Sequence, residues 1–538
     1  MSVNLRHLSR RYGIEIPLFR EIAQGTTHSK TSQSGMNQNG SIEALAQRTG
    51  LSAAVVKGTA SFYDFLDQPA AQRQTLVCHG TACRVTGSSS ATAAAHPEAG
   101  RAMCCGLCYR GGALLKTDEA GRLDGTHQSG EGLEQPEMPV FNLSGVPILT
   151  SPVASVEALY AIAVEQRERI LDQLEASGLR GRGGAGFGFA FKCRATAQAP
   201  GEEKFVVCNG DEGDPGAFSD RYLLESQPHK VMAGMFAAGL AAGAKRGLLY
   251  IRYEYPEAIR RVEAAIAEFE ALPEALRGEF HFQVVPGAGS YVCGEETALL
   301  SSIEGLRPEV RVRPPYPAQS GLWGKPTLLS NVETFANIPW IVEHGGQAFA
   351  AIGSEGSKGT KLISLDSQFT RPGLYEVDFG HPFAELVHDA AGGFTTGVKA
   401  LQVGGPLGAI VPLSSVESLS LDFESFQQAG FALGHAGIIA IPERFPMIEL
   451  MRHLFDYMAE ESCGKCTPCR LGTAKGSRML AVAEIGHPVD RQLFDDLLEL
   501  LAHGSLCALG GGLPLPMRNA LDHFGNELAP YFSAWEQN

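Results

Sequence analysis

Apolar and polar positions change period along this chain, and the period predicts the elements. In SIEALAQRTGLSAAVVKGTASFYDFL (41–66), Ile42, Leu45, Ala46, Leu51, Val55 and Val56 recur at helical spacing, and Gly50 can end one helix. Residues 1–72 are therefore expected to be helical, apart from the polar loop TTHSKTSQSGMNQNG at 26–40. QTLVC, from Gln74, reads as a short strand that opens a cysteine-bearing module ending near Lys116. Residues 117–154, rich in Gly, Asp, Glu and Pro up to about 150, read as a linker. A helix from about Ser155 to Ala176 stops at Ser177-Gly178. Then follow the strand KFVVCN, a helix over 228–244, the strand RGLLYIR, the periodic helix PEAIRRVEAAIAEFEAL and the strand FHFQVVPGAG. That alternation predicts an α/β domain over 155–345. The phrases KLISLDSQF, GLYEVDFG and ALQVGGPLGAIVP predict a small β-rich domain within 346–440, and residues 441–538 read as a helical domain. No internal repeat is evident.

Composition narrows the class without fixing it. The 538 residues allow two to four domains, and 44% apolar with 19% charged content is ordinary for a globular protein. A net charge of −15 disfavours nucleic acid and anionic membranes as partners. VMAGMFAAGLAAGA (231–244) is the most apolar stretch, but its fourteen residues are too few to span a bilayer and read as a buried helix. Met1 leads into a polar start without an apolar export signal, so a cytoplasmic location is expected. There, twelve cysteines in tight clusters favour metal ligation over disulfides.

The chemistry concentrates in five motifs. ESCGKCTPCR carries Cys463, Cys466 and Cys469 at C-x2-C-x2-C spacing, and Cys507 follows in SLCALGGG. Four such thiolates suit a [4Fe-4S] cluster better than structural zinc, which usually pairs two C-x2-C knuckles. A second set, Cys78 and Cys83 then Cys104 and Cys108, fits the two irons of a [2Fe-2S] rhomb or a zinc site; Cys105 adjoins Cys104 and can stand in for it. GLRGRGGAGF places GxGxxG at Gly181, Gly183 and Gly186, but after a helix, so the dinucleotide-fold context fails. Its glycines still let backbone N–H groups approach an anion, with Arg180, Arg182 and Lys192 adding positive charge. Asn209, Asp211, Glu212 and Asp214 follow one strand; Tyr291, Gly294, Glu295 and Glu296 follow another. Polar loops past two strand ends favour one shared ligand crevice over two solvated turns. Cys193, Cys208 and Cys293 have no pairing logic and read as small buried residues.

Taken in order, GLRGRGGAGF, CNGDEGDPGAFSDR, GAGSYVCGEETALL, PPYPAQSGLWGKPT, NVET and ESCGKCTPCR resemble the NADH-binding flavoprotein subunit of respiratory complex I. The same module occurs in NAD-linked hydrogenases and in NAD-dependent molybdenum or tungsten formate dehydrogenases. The first 110 residues are similar to the [2Fe-2S] subunit of complex I, with TASFYDF and then CHGTAC in a thioredoxin-like fold. The resemblance thus implies a multidomain α/β fusion. A helical start (1–72) and a truncated thioredoxin-like module (73–116) lead into a Rossmann-like FMN and NAD domain (155–345). A β-grasp-like domain (346–440) and a helical [4Fe-4S] domain (441–538) follow. It implies that Gly181, Gly183, Lys192, Asn209, Asp211, Gly294, Glu295, Asn331 and Thr334 hold FMN. Phe187, Glu296 and Tyr316 would line the nicotinamide dinucleotide site, and Asp214 would face the adenosine ribose, favouring NAD(H) over NADP(H). Arg313 stands where relatives often have Lys, and Ser330 where many have Asn. The twenty residues between the cysteine pairs are fewer than the family carries there, so a strand or helix is expected to be missing.

The resemblance implies a diaphorase. Hydride moves between NAD(H) and FMN, and single electrons pass through the clusters to or from a large catalytic subunit, with a small subunit as a possible third member. The wording of ALQVGGPLGA, GHAGIIAI, ESCGKCTPCRLG and HGSLCALGG is similar to formate dehydrogenase beta subunits, which favours a molybdenum or tungsten formate dehydrogenase alpha subunit as partner. A hydrogenase diaphorase and complex I itself are the alternatives, and a flavin-free Fe-S scaffold is the non-enzymatic one. Hydride transfer requires no side-chain acid or base, so no catalytic residue is expected.

Overall fold

A computed structural model describes residues 42–66, 75–117, 123–129, 132–134 and 137–533. The predicted 26–40 loop lies outside them. The cysteine module begins with β1 (Thr75–Cys78), two helices (Thr81–Val85, Ser88–Ala95) and β2 (Gly100–Ala102), which pairs parallel to β1. β3 (Ala113–Thr117) then runs antiparallel to β1, β4 (Leu123–Ser129) to β3, and β5 (Gly132–Glu134) to β4. The sheet order is 2-1-3-4-5. The stretch read as a linker is therefore structured: it supplies β4, β5 and also β6 (Val140–Asn142), which crosses to another sheet. Leu123–Ser129 pairs through backbone N–H and C=O groups while carrying a single large apolar residue, so no period-two signal announces it.

The α/β domain is built on β7 (Phe205–Gly210), β8 (Arg246–Ile251), β9 (His281–Pro286) and β10 (Thr327–Asn331), all parallel and ordered 10-7-8-9. Strand side chains alternate between two cores. Val206 and Cys208 face the helices Pro228–Ala242 and Val332–His344, whereas Phe205 and Val207 share a cluster with Leu299 and Leu300. Helix Pro228–Ala242 is buried on nearly every side, which explains its apolar run. Among the described residues no helix is long and apolar enough to cross a membrane. The N-terminal helices Ile42–Thr49 and Ala53–Ala60 belong to this domain's outer layer: Val56 and Tyr63 pack with Leu248 and Tyr250, and Phe65 N–H donates to Ala288 O at 3.0 Å.

The third sheet is mixed, with β11 (Thr360–Leu365), β12 (Gly373–Asp378), β13 (Val398–Val403), β14 (Ala409–Pro412) and β15 (Gly437–Pro442) in order 14-13-15-11-12-6. Its buried Glu376 accepts from the amides of Ile148, Leu149 and Thr150 at 2.8–2.9 Å, while Lys230 donates to the carbonyls of Ile148 and Ser151 at 2.7 Å. These two side chains pin the chain between modules. The C-terminal region is helical as expected, with a two-stranded pairing of Val489–Asp490 and Phe532–Ser533 added.

Candidate functional site

The crevice forms where the strand order reverses. The chain steps from β7 to β8 to β9 and then returns to the far side of β7 as β10, so the loops after β7 and β10 part there. Ligands of open α/β sheets bind outside the carboxyl ends of strands at such a point. Asn331 ends β10 in direct register with Asn209, the last residue but one of β7, and Ser330 one residue back lies beside Cys208. Asn331 caps helix Val332–His344, accepting from Thr334 N at 3.2 Å and from the Thr334 hydroxyl. Thr334 Oγ1 in turn accepts from Arg182 N at 2.9 Å, which anchors the Gly-rich loop. That loop is a tight hairpin in which Gly181 N donates to Phe187 O at 2.8 Å, and Gly184 and Gly186 have positive φ. A Cβ on Gly183 would lie 3.2 Å from Asn331 Cβ, so a side chain there would fill the cradle.

The opposite wall comes from the loops after β7 and β9. Asn209 Nδ2 donates to Gly294 O at 2.8 Å, and its Oδ1 accepts from Asp211 N at 3.1 Å. Glu295 caps helix Glu296–Ile303 through the amides of Thr297 and Ala298, both at 2.9 Å. Asp211 Oδ2 is buried without a hydrogen-bond partner, and burial pushes its carboxyl well above the usual range. An unpaired buried acceptor beside a glycine cradle fits a flavin, whose ring N–H would satisfy it. At the crevice mouth Lys192 and Arg313 hold Glu296 at 3.1 and 2.7 Å, and Lys192 sits 5.9 Å from the Phe187 ring centre. Phe187 and Tyr316 are about half exposed.

Two expected side chains are engaged elsewhere, and a further two bind each other. Arg182 is fully buried, its guanidinium donating to Arg180 O and Lys358 O and lying 4.5 Å from the Phe379 ring, so it locks the loop to the β-rich domain instead of meeting a phosphate. Glu212 accepts from Ser219 Oγ, Asp220 N and Arg221 N at 2.9–3.1 Å and caps helix Ser219–Ser226. Asp214 and Tyr291 bind each other (Oη to Oδ1, 2.6 Å), and His435 Nε2 stands 2.6 Å from Asp214 Oδ2, close but out of line for a hydrogen bond. His435 had no place among the sequence candidates. Its signal was the phrase GHAG, whose Gly434 backs onto Gly184.

Both cysteine sets assemble. Cys463, Cys466, Cys469 and Cys507 line one cavity of about 240 Å³ of empty space, counting the part open to solvent. Cys466 and Cys507 cap the helices Thr467–Glu484 and Ala508–Gly511. Among the described residues no three His, Cys, Asp or Glu side chains converge on a single-ion site; these four thiols surround a space, as the corners of a cube would require. In the N-terminal module Cys78, Cys83, Cys104, Cys105 and Cys108 are all buried, with Cys104 and Cys108 sulfurs 3.9 Å apart. Hydrogen bonding by Cys108 and Cys78 holds the Cys104 thiol below its ordinary range, and hydrogen bonding by Cys78 lowers that of Cys83. Hydrogen bonding to Cys104 pushes the Cys78 and Cys108 thiols up in turn, so the four sulfurs share protons as one close-packed set. Cys193, Cys208 and Cys293 are buried singly, as expected.

Known proteins share this arrangement. The family described as the Nuo51 FMN-binding domain matches residues 174–340, the NADH-ubiquinone oxidoreductase-F iron-sulfur binding region matches 449–531, and the thioredoxin-like [2Fe-2S] ferredoxin matches 27–108. An F-type subunit of the NADH-quinone oxidoreductase of Rhizobium meliloti is 41% identical over 375 residues, covering 68% of this chain and 89% of its own. The chain belongs to the NADH-binding FMN diaphorase subunits of complex I and NAD-reducing hydrogenases. The alpha subunit of the NAD-reducing hydrogenase HoxS of Cupriavidus necator is 31% identical over 531 residues, covering 88% of this chain and 86% of its own. The NADP-reducing hydrogenase subunit HndC of Solidesulfovibrio fructosivorans is 40% identical over 69% of this chain and 77% of its own. A chain in the crystal structure of an air-oxidised NAD+-reducing [NiFe]-hydrogenase superposes with a TM-score of 0.84 at 28% identity, covering 97% and 94%. This diaphorase is therefore an NADH dehydrogenase-type flavoprotein oxidoreductase that uses FMN, NAD(H), a [4Fe-4S] and a [2Fe-2S] cluster.

Proposed function

We propose that this diaphorase serves a cytoplasmic, metal-dependent formate dehydrogenase, with a molybdenum or tungsten alpha subunit as its partner. The observation that carries the reading is that two of the phrases similar to formate dehydrogenase beta subunits build the cover of the crevice. Gly405 of GGPLG approaches Asp214 so closely that a Cβ would lie 2.5 Å from its carboxyl carbon, and His435 of GHAG meets the same carboxylate. FMN, when bound, exchanges hydride with the nicotinamide and single electrons with the clusters. The chain's own residues bind and orient. Gly181, Gly183, Asn209, Asn331, Thr334, Ser330, Asp211, Gly294 and Glu295 would hold the flavin, with Asp211 accepting from its ring. Phe187, Lys192, Glu296, Arg313 and Tyr316 would form the dinucleotide entrance. Asp214, steadied by Tyr291 and His435, would accept from a ribose hydroxyl and repel a 2′-phosphate, favouring NAD(H).

Cys466 and Cys507 are the half-buried members of their set, and exposed Leu471, Leu500 and Leu506 lie on or beside the elements that carry them. That combination supports electron exit to a protein partner on this face. Affinity purification of the tagged chain from its host tests the assignment. Copurifying molybdenum or tungsten with formate:NAD+ activity is expected. Copurifying nickel with hydrogen:NAD+ activity would instead establish the hydrogenase reading, which the match to the HoxS alpha subunit over 88% of this chain favours.

A further inference from the structure

The cavity of the second cysteine set has a wall from elsewhere in the chain. After helix Glu296–Ile303, Glu309 pairs with Lys465 at 3.2 Å and Val310 lines the cavity. Arg307, in the same segment, leans on the cysteine loop: its Nη2 donates to the Cys463 carbonyl at 3.2 Å, and a Cβ on Gly464 would lie 3.6 Å from that nitrogen. Among the described residues no carboxylate forms an ion pair with Arg307, and its buried Nε has no hydrogen-bond partner. An unmet donor and an unpaired positive charge beside four thiolates fit an anionic cluster. The guanidinium is held from the far end of the chain. It lies over the Phe62 ring, 4.5 Å from the centre, while Tyr63 Oη donates to Leu306 O at 2.9 Å across 243 residues of sequence. The Phe62 and Tyr63 rings meet edge-to-face at 5.6 Å, which braces both. We infer that Arg307, held by Phe62 and Tyr63, raises the reduction potential of the [4Fe-4S] cluster, so that the N-terminal helical segment tunes a cofactor bound at the other end of the chain.

Reduction adds one negative charge to the cluster, and a fixed cation nearby favours that state. Arginine stays charged at any working pH, so the effect needs no protonation step. Arg307 neither ligates iron nor carries electrons, and Phe62 and Tyr63 act only by positioning it.

The test is a redox titration of the full chain with both clusters bound, followed by EPR, which reads each cluster separately. Arg307→Gln is expected to make reduction of the [4Fe-4S] cluster about tenfold less favourable, a fall of about 59 mV for one electron. The [2Fe-2S] midpoint should stay at its wild-type value. Arg307→Lys, which keeps the charge, should remain near wild type, and Phe62→Ala should lower the [4Fe-4S] midpoint by less than Arg307→Gln. An unchanged midpoint in Arg307→Gln, or equal shifts in both clusters, overturns the inference. An unchanged midpoint in Phe62→Ala removes the N-terminal segment from it. If Arg307→Gln loses the cluster, Arg307→Lys decides: a signal near the wild-type midpoint supports the charge, and a lost or fully displaced signal overturns it. The inference rests on Cys463, Cys466, Cys469 and Cys507 as the [4Fe-4S] ligands, an assignment that fails separately if Cys507→Ala keeps the signal.

Discussion

Lys361 and Glu333 form an ion pair with essentially no exposure, joining β11 to the helix whose first turn anchors the Gly-rich loop. The Lys361 ammonium contacts Glu333 Oε2 and donates to Leu362 O at 3.1 Å, while Glu333 Oε1 accepts from Leu362 N at 3.1 Å. Lys361→Met would leave Glu333 buried beside Asp220, whose Oδ1 accepts from Glu333 N at 3.1 Å. Breaking such a pair on one side costs about 3–5 kcal/mol, because the remaining charge is uncompensated. With a urea dependence near 3 kcal/mol per molar for a large domain, the midpoint should fall by about 1–2 M. A chain of several domains need not unfold in one step, so the readout should be local: release of bound FMN, followed by the rise in flavin fluorescence as urea increases. Lys361→Met with Glu333→Leu should recover most of the loss, since an apolar pair can replace a buried ionic one. A single variant with an unchanged midpoint, or a double variant whose losses simply add, would refute the idea that this pair locks the β-rich domain to the cradle.

Gly183→Val should lower FMN affinity on the order of tenfold or more, because overpacking against Asn331 costs about 1–3 kcal/mol; equilibrium dialysis with FMN measures it. Cys507→Ala should abolish the [4Fe-4S] signal in EPR of the dithionite-reduced protein and leave the [2Fe-2S] signal in place, since the two cysteine sets are separate. Acidification should loosen the contact between the [2Fe-2S] module and helix Met447–Glu460, where Thr81 Oγ1 lies 3.2 Å from His453 Nε2. Burial, and then the cations Arg84 and Arg101, push the His453 imidazole down to about 3 from 6.5. A depressed folded value means that the stabilisation is complete above pH 6.5 and drains away as pH falls toward 3. Thermal melts across that range should show a weaker acid dependence in His453→Gln.

The central sheet was legible because its strands are continuous apolar runs; the cysteines were legible through the close spacing of Cys463, Cys466 and Cys469 and, for the N-terminal set, through spacing together with the family resemblance. The acidic loop after β7 was only half legible. Asp211, Glu212 and Asp214 look alike in sequence, yet Asp211 keeps an unpaired oxygen at the crevice, Glu212 turns back to cap a helix and Asp214 reaches the β-rich domain. Their fates depend on Ser219, Tyr291 and His435, of which the last lies more than two hundred residues away. Arg182 illustrates the same limit: next to glycines it reads as an anion ligand, and the Phe379 ring and Lys358 carbonyl that claim it belong to another domain. The strands β4 to β6 were missed because backbone pairing needs no hydrophobic pattern.

The loop from Asp211 to Gly216 also ties the modules together. Gly216 N donates to the Cys108 sulfur at 3.2 Å, so a backbone amide of the nucleotide wall reaches a thiol of the [2Fe-2S] set. Gly213 O accepts from Tyr457 Oη at 3.1 Å, and Tyr457 lies on the helix that leads to Cys463, its ring 5.2 Å from that of Tyr291. Buried Arg252 clamps the arrangement by donating both to Glu212 O and to Cys104 O. Hydrogen bonds to cluster sulfurs help set reduction potentials. A displacement of this loop by nucleotide would therefore be felt at Cys108 directly, and through Tyr457 on the approach to the other cysteines. Tyr457→Phe, which removes the hydrogen bond to Gly213 O and no charge, should shift the midpoint potential of the [2Fe-2S] EPR signal; an unshifted midpoint would show the modules to be joined without being coupled.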